Sequence, residues 1–411
     1  MKVTARTRKS PTTVKIALYE ANLKRRVRRH LRALGFSHAS SGVLVPGAND
    51  KEAYRAVHSQ QRRDRLDKSD RLLRNALPEF IRSVADGREI RPSAIAPRLE
   101  LVTAGTPQSD LFRLATLTWS IPVSDGFGRR LKFLVWDDSV GKLIGVIALG
   151  DPVFNLGARD RLVGWTSNDR VRRLVNVLDA FVLGALPPYS LLLGGKLIAC
   201  LVKTQEVEEA FRKRYGASEG VISGLNKGAR LVLVTTTSAM GRSSVYNRLR
   251  IDGRSFFEPI GFTEGYGHFH LPDDLFTELR SYLRRMRDPY ATNNRYGHGP
   301  NWKMRVVRKA FVHLGLGPKL LHHGFRREVF SCQLASNALE YLRGTHKRPN
   351  FRSLLPVSEI SSLCLERWIL PRAQRRPEFQ AFRPHDIQQM IRAGTAWQPP
   401  SGDANVRRYQ R

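Results

Sequence analysis

LKFLVWDDSVGKLIGVIALG (Leu131–Gly150) decides the fold class. Two apolar runs are split by Asp138, Ser139 and Gly141, residues that favour a tight turn, so the stretch predicts a β-hairpin. Downstream the pattern alternates. AFVLGAL (Ala180–Leu186) reads as a strand, and the apolar stretch from Ser190 to Thr204 has helical spacing at Leu191, Leu197, Leu201 and Val207. ARLVLVTTTS (Ala229–Ser238) is a β-branched strand. Past Gly241, SSVYNRLRI predicts a short helix capped by Ser243 or Ser244, and GHFHL (Gly267–Leu271) a closing strand. This order predicts an α/β (α+β) core built on a mixed sheet.

Around that core the chain is strongly basic. Of its 411 residues 69 are Lys or Arg and 36 are Asp or Glu, a net charge of +33 that repels itself unless it meets a polyanion. Nucleic acid, DNA or RNA, is the polyanion such a surface fits best. The length allows a large core without disulfides, and the three cysteines, Cys200, Cys332 and Cys364, lie far apart in apolar contexts. They suggest neither a disulfide framework nor a zinc cluster, which fits a reducing cytoplasm. No run of about 18 apolar residues occurs, so no membrane segment is expected.

Charge is unevenly placed. Residues 1–14 read as a basic flexible arm, 15–100 as a helical N-terminal region, 101–287 as the α/β core, 288–372 as a loop followed by helices, and 373–411 as a basic, partly disordered tail. From Val14 to Leu34 apolar residues recur every three to four positions up to Gly35, a helix signature. Its polar side is KRRVRRHLR, which puts Lys24, Arg25, Arg28, Arg29 and Arg32 around one helix, where a phosphate backbone would relieve their repulsion. The next helical run, Lys51–Ala85, interleaves its arginines with Asp64, Asp67 and Asp70 and is read as structural. After the loop Asp288–Trp302, Lys303, Arg305, Arg308 and Lys309 form a second basic helical group, and a further helix is predicted over Ser331–Leu342.

Catalytic constellations are sparse. A metal-dependent nuclease needs converging carboxylates, and only Asp137, Asp151 and Asp160 could be brought together by folding; Asp137 and Asp138 fit a turn equally well. His268 and His270 would face one side of the predicted strand, whereas His322 and His323 lack a third ligand at zinc-like spacing. No metal is expected. No phosphate-cradling GxxxxGK[ST] occurs, and Gly194 and Gly195 near a helix start are the residues best placed to receive a pyrophosphate on backbone amides.

Four stretches carry a resemblance: KLIGVIALGDPVFNLGARDRLVGW, RVRRLVNVLDAFVLG, YNRLRIDG with PIGFTEGYGHFHLP, and HHGFRREVF. Together they resemble the DruA family of the Druantia anti-phage defence systems from about Gly87 to Arg376, ARDRLVGW being the most specific piece. The resemblance implies one part of a multi-protein bacterial antiviral system, acting beside a large helicase-like partner, and it carries over no catalytic residue. The order of elements is also similar to GCN5-related N-acyltransferases. That likeness implies acyl-CoA held at the amides of Gly194 and Gly195, and Tyr246 as general acid. The Gln/Arg-x-x-Gly-x-Gly/Ala motif of those enzymes is absent, with Leu193-Gly194-Gly195 alone near it, so no cofactor is expected. The expectation is therefore a defence component that binds nucleic acid; the alternatives are an acyltransferase-like enzyme acting on a base or amine, and a non-catalytic scaffold.

Overall fold

In the computed structural model, which describes residues 11–40, 42–48, 50–123, 128–219, 224, 226, 228–291 and 300–399, the strands in chain order are β1 (Phe36–His38), β2 (Leu44–Pro46), β3 (Pro97–Leu101), β4 (Arg130–Asp137), β5 (Lys142–Gly150), β6 (Val177–Ala185), β7 (Leu233–Thr237), β8 (Leu249–Ile251), β9 (Arg254–Phe262) and β10 (Glu328–Gln333). The expected arm at 1–10, the end of the tail at 400–411 and the centre of the loop at 292–299 lie outside the described residues. Two units make up the chain, each from two separate stretches: residues 1–61 with 264–326, and residues 62–263 with 327–411.

The larger unit holds one mixed eight-stranded sheet in the order β3-β4-β5-β6-β7-β10-β9-β8. Neighbours are antiparallel except β6 and β7, which run parallel and pair only from Val177–Asp179 to Leu233–Thr235. Alternation explains why β5 reads as an unbroken apolar run. Successive side chains point to opposite faces, and both faces of β5 are covered. Ile144, Ile147 and Leu149 enter one core with Leu197, Phe211 and Ile360, whereas Leu143, Val146 and Ala148 enter the other with Phe80, Leu114 and Ile387.

Several local expectations are corrected. The stretch Ser190–Thr204 is no long helix: Leu193 takes a left-handed φ of 63°, which an L residue adopts only with strain, and leaves a seven-residue helix, Gly194–Cys200. SSVYNRLRI forms a turn. Ser243 Oγ accepts from the Val245 and Tyr246 amides as a cap does, but Arg248 at φ 66° ends the turn and β8 follows. GHFHL is not a strand either, because glycines at 265 and 267 and Pro272 bound a turn that buries His270. The last strand is instead EVFSCQ, β10, within the stretch partly expected to be helical; its two-residue alternation lets it pair with both β7 and β9. Finally, residues 373–399 are folded further than a partly disordered tail. Phe382, Ile387 and Ile391 are buried in the second core, and Arg62 donates to the Ile391 and Met390 carbonyls at the end of the helix Asp386–Ala393.

The most specific sequence string owes its character to one buried cation. Arg159, fully buried, donates to the carbonyls of Val153 and Phe154 at 2.9 and 2.8 Å and to Asp160, and Asp160 is also held by Arg170 at 2.9 Å. Trp165 donates its indole N–H to the Leu342 carbonyl. ARDRLVGW is thus the clamp of an irregular loop, satisfying backbone groups that burial would otherwise strand.

Candidate nucleic-acid interface

The smaller unit is dense in positive charge. It carries about half of the net +33 on less than a third of the residues, and nine of the chain's 11 histidines. Its helix Pro11–Ala33 follows the sequence closely, ending where Gly35 turns with φ 78°. Leu23, Val27 and Leu31 are 3, 0 and 1% exposed and mark the packed face. Arg26 and His30 lie beside that face: Arg26 is bound by Asp274 and Glu278 of the helix Asp273–Arg285, and His30 Nε2 meets the His270 carbonyl at 2.8 Å.

The remaining cations occupy the opposite side. Arg25, Arg28, Arg29 and Arg32 follow i, i+3, i+4, i+7 spacing, which places them in one stripe about 10 Å long. All four are exposed. Arg25 donates to Asn22, and among the described residues none of the four is ion-paired with a carboxylate. Lys24 sits half-buried on the flank. The stripe has the reach and the unspent donors for a row of phosphates, and bidentate guanidinium geometry suits phosphate oxygens.

The second expected basic group is divided differently. On the helix Pro300–His313, Lys303 lies 3.3 Å from Asp273, and Lys309 lies 3.4 Å from Asp288. Arg305 donates to the Tyr290 hydroxyl at 3.2 Å while staying exposed, and Arg308 is exposed with no ion-pair partner among the described residues. Two of the four charges are therefore neutralised at home. Behind this surface lies a histidine-aromatic core that the sequence did not announce. His58 stacks on Phe269 at 4.5 Å, Phe269 meets His323 edge-on at 4.5 Å, and His270 packs against Phe36. Burial pushes His268 down to about 4 and His270 down to about 3, so both rings are neutral near pH 7.

In the larger unit the residues with catalytic potential are packed. Tyr246 lies between Phe257 and Phe330, each 5.3 Å away, and burial raises its phenol to about 12, aided by the nearby Asp179 charge and opposed by the hydrogen bond to Thr236. A Cβ on Gly194 would come 2.6 Å from the Tyr189 carbonyl and 3.0 Å from Ala185 Cβ, and one on Gly195 would touch the Val245 methyls at 3.9 Å. Close packing accounts for Gly194, whereas Gly195 has room for a side chain. Asp137, Asp151 and Asp160 do not converge: Asp137 binds the Tyr189 hydroxyl, Ser139 and the Ala96 amide, Asp151 binds Arg129, and Asp160 binds Arg159 and Arg170. Among the described residues no three His, Cys, Asp or Glu side chains are grouped to hold a metal ion.

One half-buried acid escaped the sequence reading. Asp179 on β6 accepts from Thr235 Oγ1 at 2.8 Å across the short parallel pairing with β7, and burial lifts its carboxyl to about 6 despite Arg159 and Arg130 nearby. Only the pairing of β6 with β7 puts it there.

The sequence matches the family described as Druantia protein DruA over residues 48–344. A curated relative from Escherichia coli (strain UMEA 4076-1), named Druantia protein DruA, is 50% identical over 390 residues, which cover 95% of this chain and 96% of that protein. No solved structure matches the chain. No helix among the described residues is long and apolar enough to cross a membrane.

Proposed function

Because the chain belongs to the Druantia DruA family, we propose that it is the component of a Druantia anti-phage defence system that grips the phosphate backbone of nucleic acid, through the stripe Arg25, Arg28, Arg29 and Arg32. The observation that carries this reading is the segregation of charge on one helix. Arg26, on the packed side, has two carboxylate partners, whereas the four arginines opposite have none among the described residues. Nearby carboxylates are spent on Arg26, Lys303 and Lys309, so an external anion is the natural counter-charge for the stripe. Contacts of this kind are to phosphate and carry no base sequence, so binding is sequence-independent. Arg308 and Arg305 extend the same chemistry from the second helix. In the cytoplasm the protein works beside other defence proteins, a helicase-like partner among them, which would read or open the strand that it holds.

Acyl transfer has less support, since Gly194 is packed against the Tyr189 carbonyl and Tyr246 packs against Phe257 and Phe330. A salt titration decides the proposal. Affinity of the nuclease-treated protein for duplex DNA and for RNA of equal length is measured by fluorescence anisotropy across salt concentrations, and a flat log–log plot for both would exclude a phosphate-gripping role. Association with defence proteins that survives nuclease treatment, with no affinity for either nucleic acid, would assign the stripe to an acidic protein surface instead.

A further inference from the structure

The larger unit contains a cleft of about 320 Å³, in the size range of small-ligand sites, that none of the chemistry above uses. It lies along β9 and β10, and Lys203 and Ser353 are also among its lining residues. Two cations border it without a carboxylate partner among the described residues. Lys203, half-buried, gives one of its three N–H groups to the Ser255 carbonyl at 2.8 Å, and Arg254 makes a single long contact to the Ser353 carbonyl at 3.3 Å. Two hydroxyls in the same cleft are also unspent. Ser255 Oγ is buried with no hydrogen-bond partner, and Ser331, 3% exposed on β10, has none for its side chain among the described residues.

A buried donor without an acceptor is costly, and a half-buried ammonium without a counter-charge adds to that cost, which an anion in the cleft would offset. A tetrahedral oxyanion with several acceptor oxygens can take an ammonium, a guanidinium fork and hydroxyls at once, which favours phosphate over a planar carboxylate. The rest of the lining is not that of a bare phosphate site. Phe256, Leu355 and Ile360 supply an apolar side, and the amide of Gln333 offers a donor and an acceptor. Glu258, the one carboxylate of the lining, is drawn toward Arg250 at 3.7 Å and is an acceptor suited to an amino or hydroxyl group.

We propose that this cleft binds one nucleotide, its phosphate on Lys203, Arg254 and the Ser255 and Ser331 hydroxyls, and its base against the apolar side at Leu355. The site is independent of the arginine stripe, which belongs to the smaller unit. A free nucleotide and the terminal nucleotide of a strand share this chemistry.

Calorimetric titration of the full chain separates them. Probes are the four nucleoside monophosphates, adenosine, inorganic phosphate, and a trinucleotide with and without a 5′-phosphate. At least one monophosphate is expected to bind about tenfold tighter than both adenosine and inorganic phosphate. Tighter binding of the 5′-phosphorylated trinucleotide than of any monophosphate assigns the strand end, and the reverse order assigns the free nucleotide; both sustain the site. Arg254→Gln and Ser331→Val should each weaken binding about fivefold or more, with the DNA salt slope unchanged. If Ser331→Val does not fold, Arg254→Gln still decides, because Arg254 is exposed. No monophosphate binding at millimolar concentration, equal affinity for adenosine, equal affinity for inorganic phosphate, or full affinity in the Arg254 variant would each overturn the assignment.

Discussion

Replacing Arg25, Arg28, Arg29 and Arg32 together by Ala removes the exposed stripe and leaves the packed face of its helix intact. Leu23, Val27 and Leu31 stay buried, and Arg26 keeps Asp274 and Glu278. Alanine is also the better helix former, so the helix should not be lost. If each arginine neutralises one phosphate of a duplex, the slope of log affinity against log salt drops in magnitude by about 3.6. The wild-type protein should then lose about 10²-fold more affinity than the variant between 50 and 200 mM salt. Anisotropy with a labelled 20-base-pair duplex reads this directly, and circular dichroism checks the fold. A slope that stays within about half a unit of wild type would show that the stripe does not touch phosphate. Substituting Lys303 and Lys309 is the contrasting case. Asp273 and Asp288 already neutralise them, so their loss should move the slope by less than about one unit.

Further expectations concern the packed interior. Arg159→Leu strips the Val153 and Phe154 carbonyls of their donor and leaves Asp160 with Arg170 alone, so unfolding free energy should fall by about 3–5 kcal/mol; denaturant melts showing less than about 1 kcal/mol would refute the clamp. Asp179, raised from 3.8 to about 6, binds more protons folded than unfolded between those values, so its contribution to stability falls as pH rises through that window and Asp179→Asn should flatten that part of the profile. His268 and His270 act oppositely. Their folded values of about 4 and about 3 lie below the ordinary 6.5, so the stability they allow is present above pH 6.5 and is lost as pH falls toward 3. Acid melts from pH 7 to 4.5 followed by exchange of the Leu271 backbone amide, bonded to the His268 carbonyl, should show the smaller unit loosening, and unchanged protection across that range would contradict it. All three thiols are buried, and burial pushes Cys332 up to about 12, so a thiol reagent should label none in the native protein and three after denaturation.

How much of this was legible follows from the range of the forces involved. The hairpin β4–β5 and the helix Pro11–Ala33 are written in local periodicity, period two against period 3.6, and both formed where the residues put them. The breaks came where backbone geometry depends on distant packing. Nothing in the composition of Ser190–Thr204 says that Leu193 will turn left-handed, and GHFHL alternates like a strand although its glycines and buried His270 make it a turn. EVFSCQ is short enough to suit helix or strand, and two waiting ladders decided it. Cys200 and Cys364, 164 positions apart in the chain, end buried in one core.

Order of residues alone determined the excess of positive charge, the family to which the chain belongs and the existence of an arginine-rich amphipathic helix, because each is a property of composition or of neighbours within a few positions. Tertiary structure decided which of those charges are free. Asp274 and Glu278 are about 250 positions from Arg26, and only folding could spend them there and leave Arg25, Arg28, Arg29 and Arg32 without carboxylate partners among the described residues. Charge is additive along a chain, but neutralisation is a matter of distance in space, and that distance is set by the packing of Leu23, Val27 and Leu31.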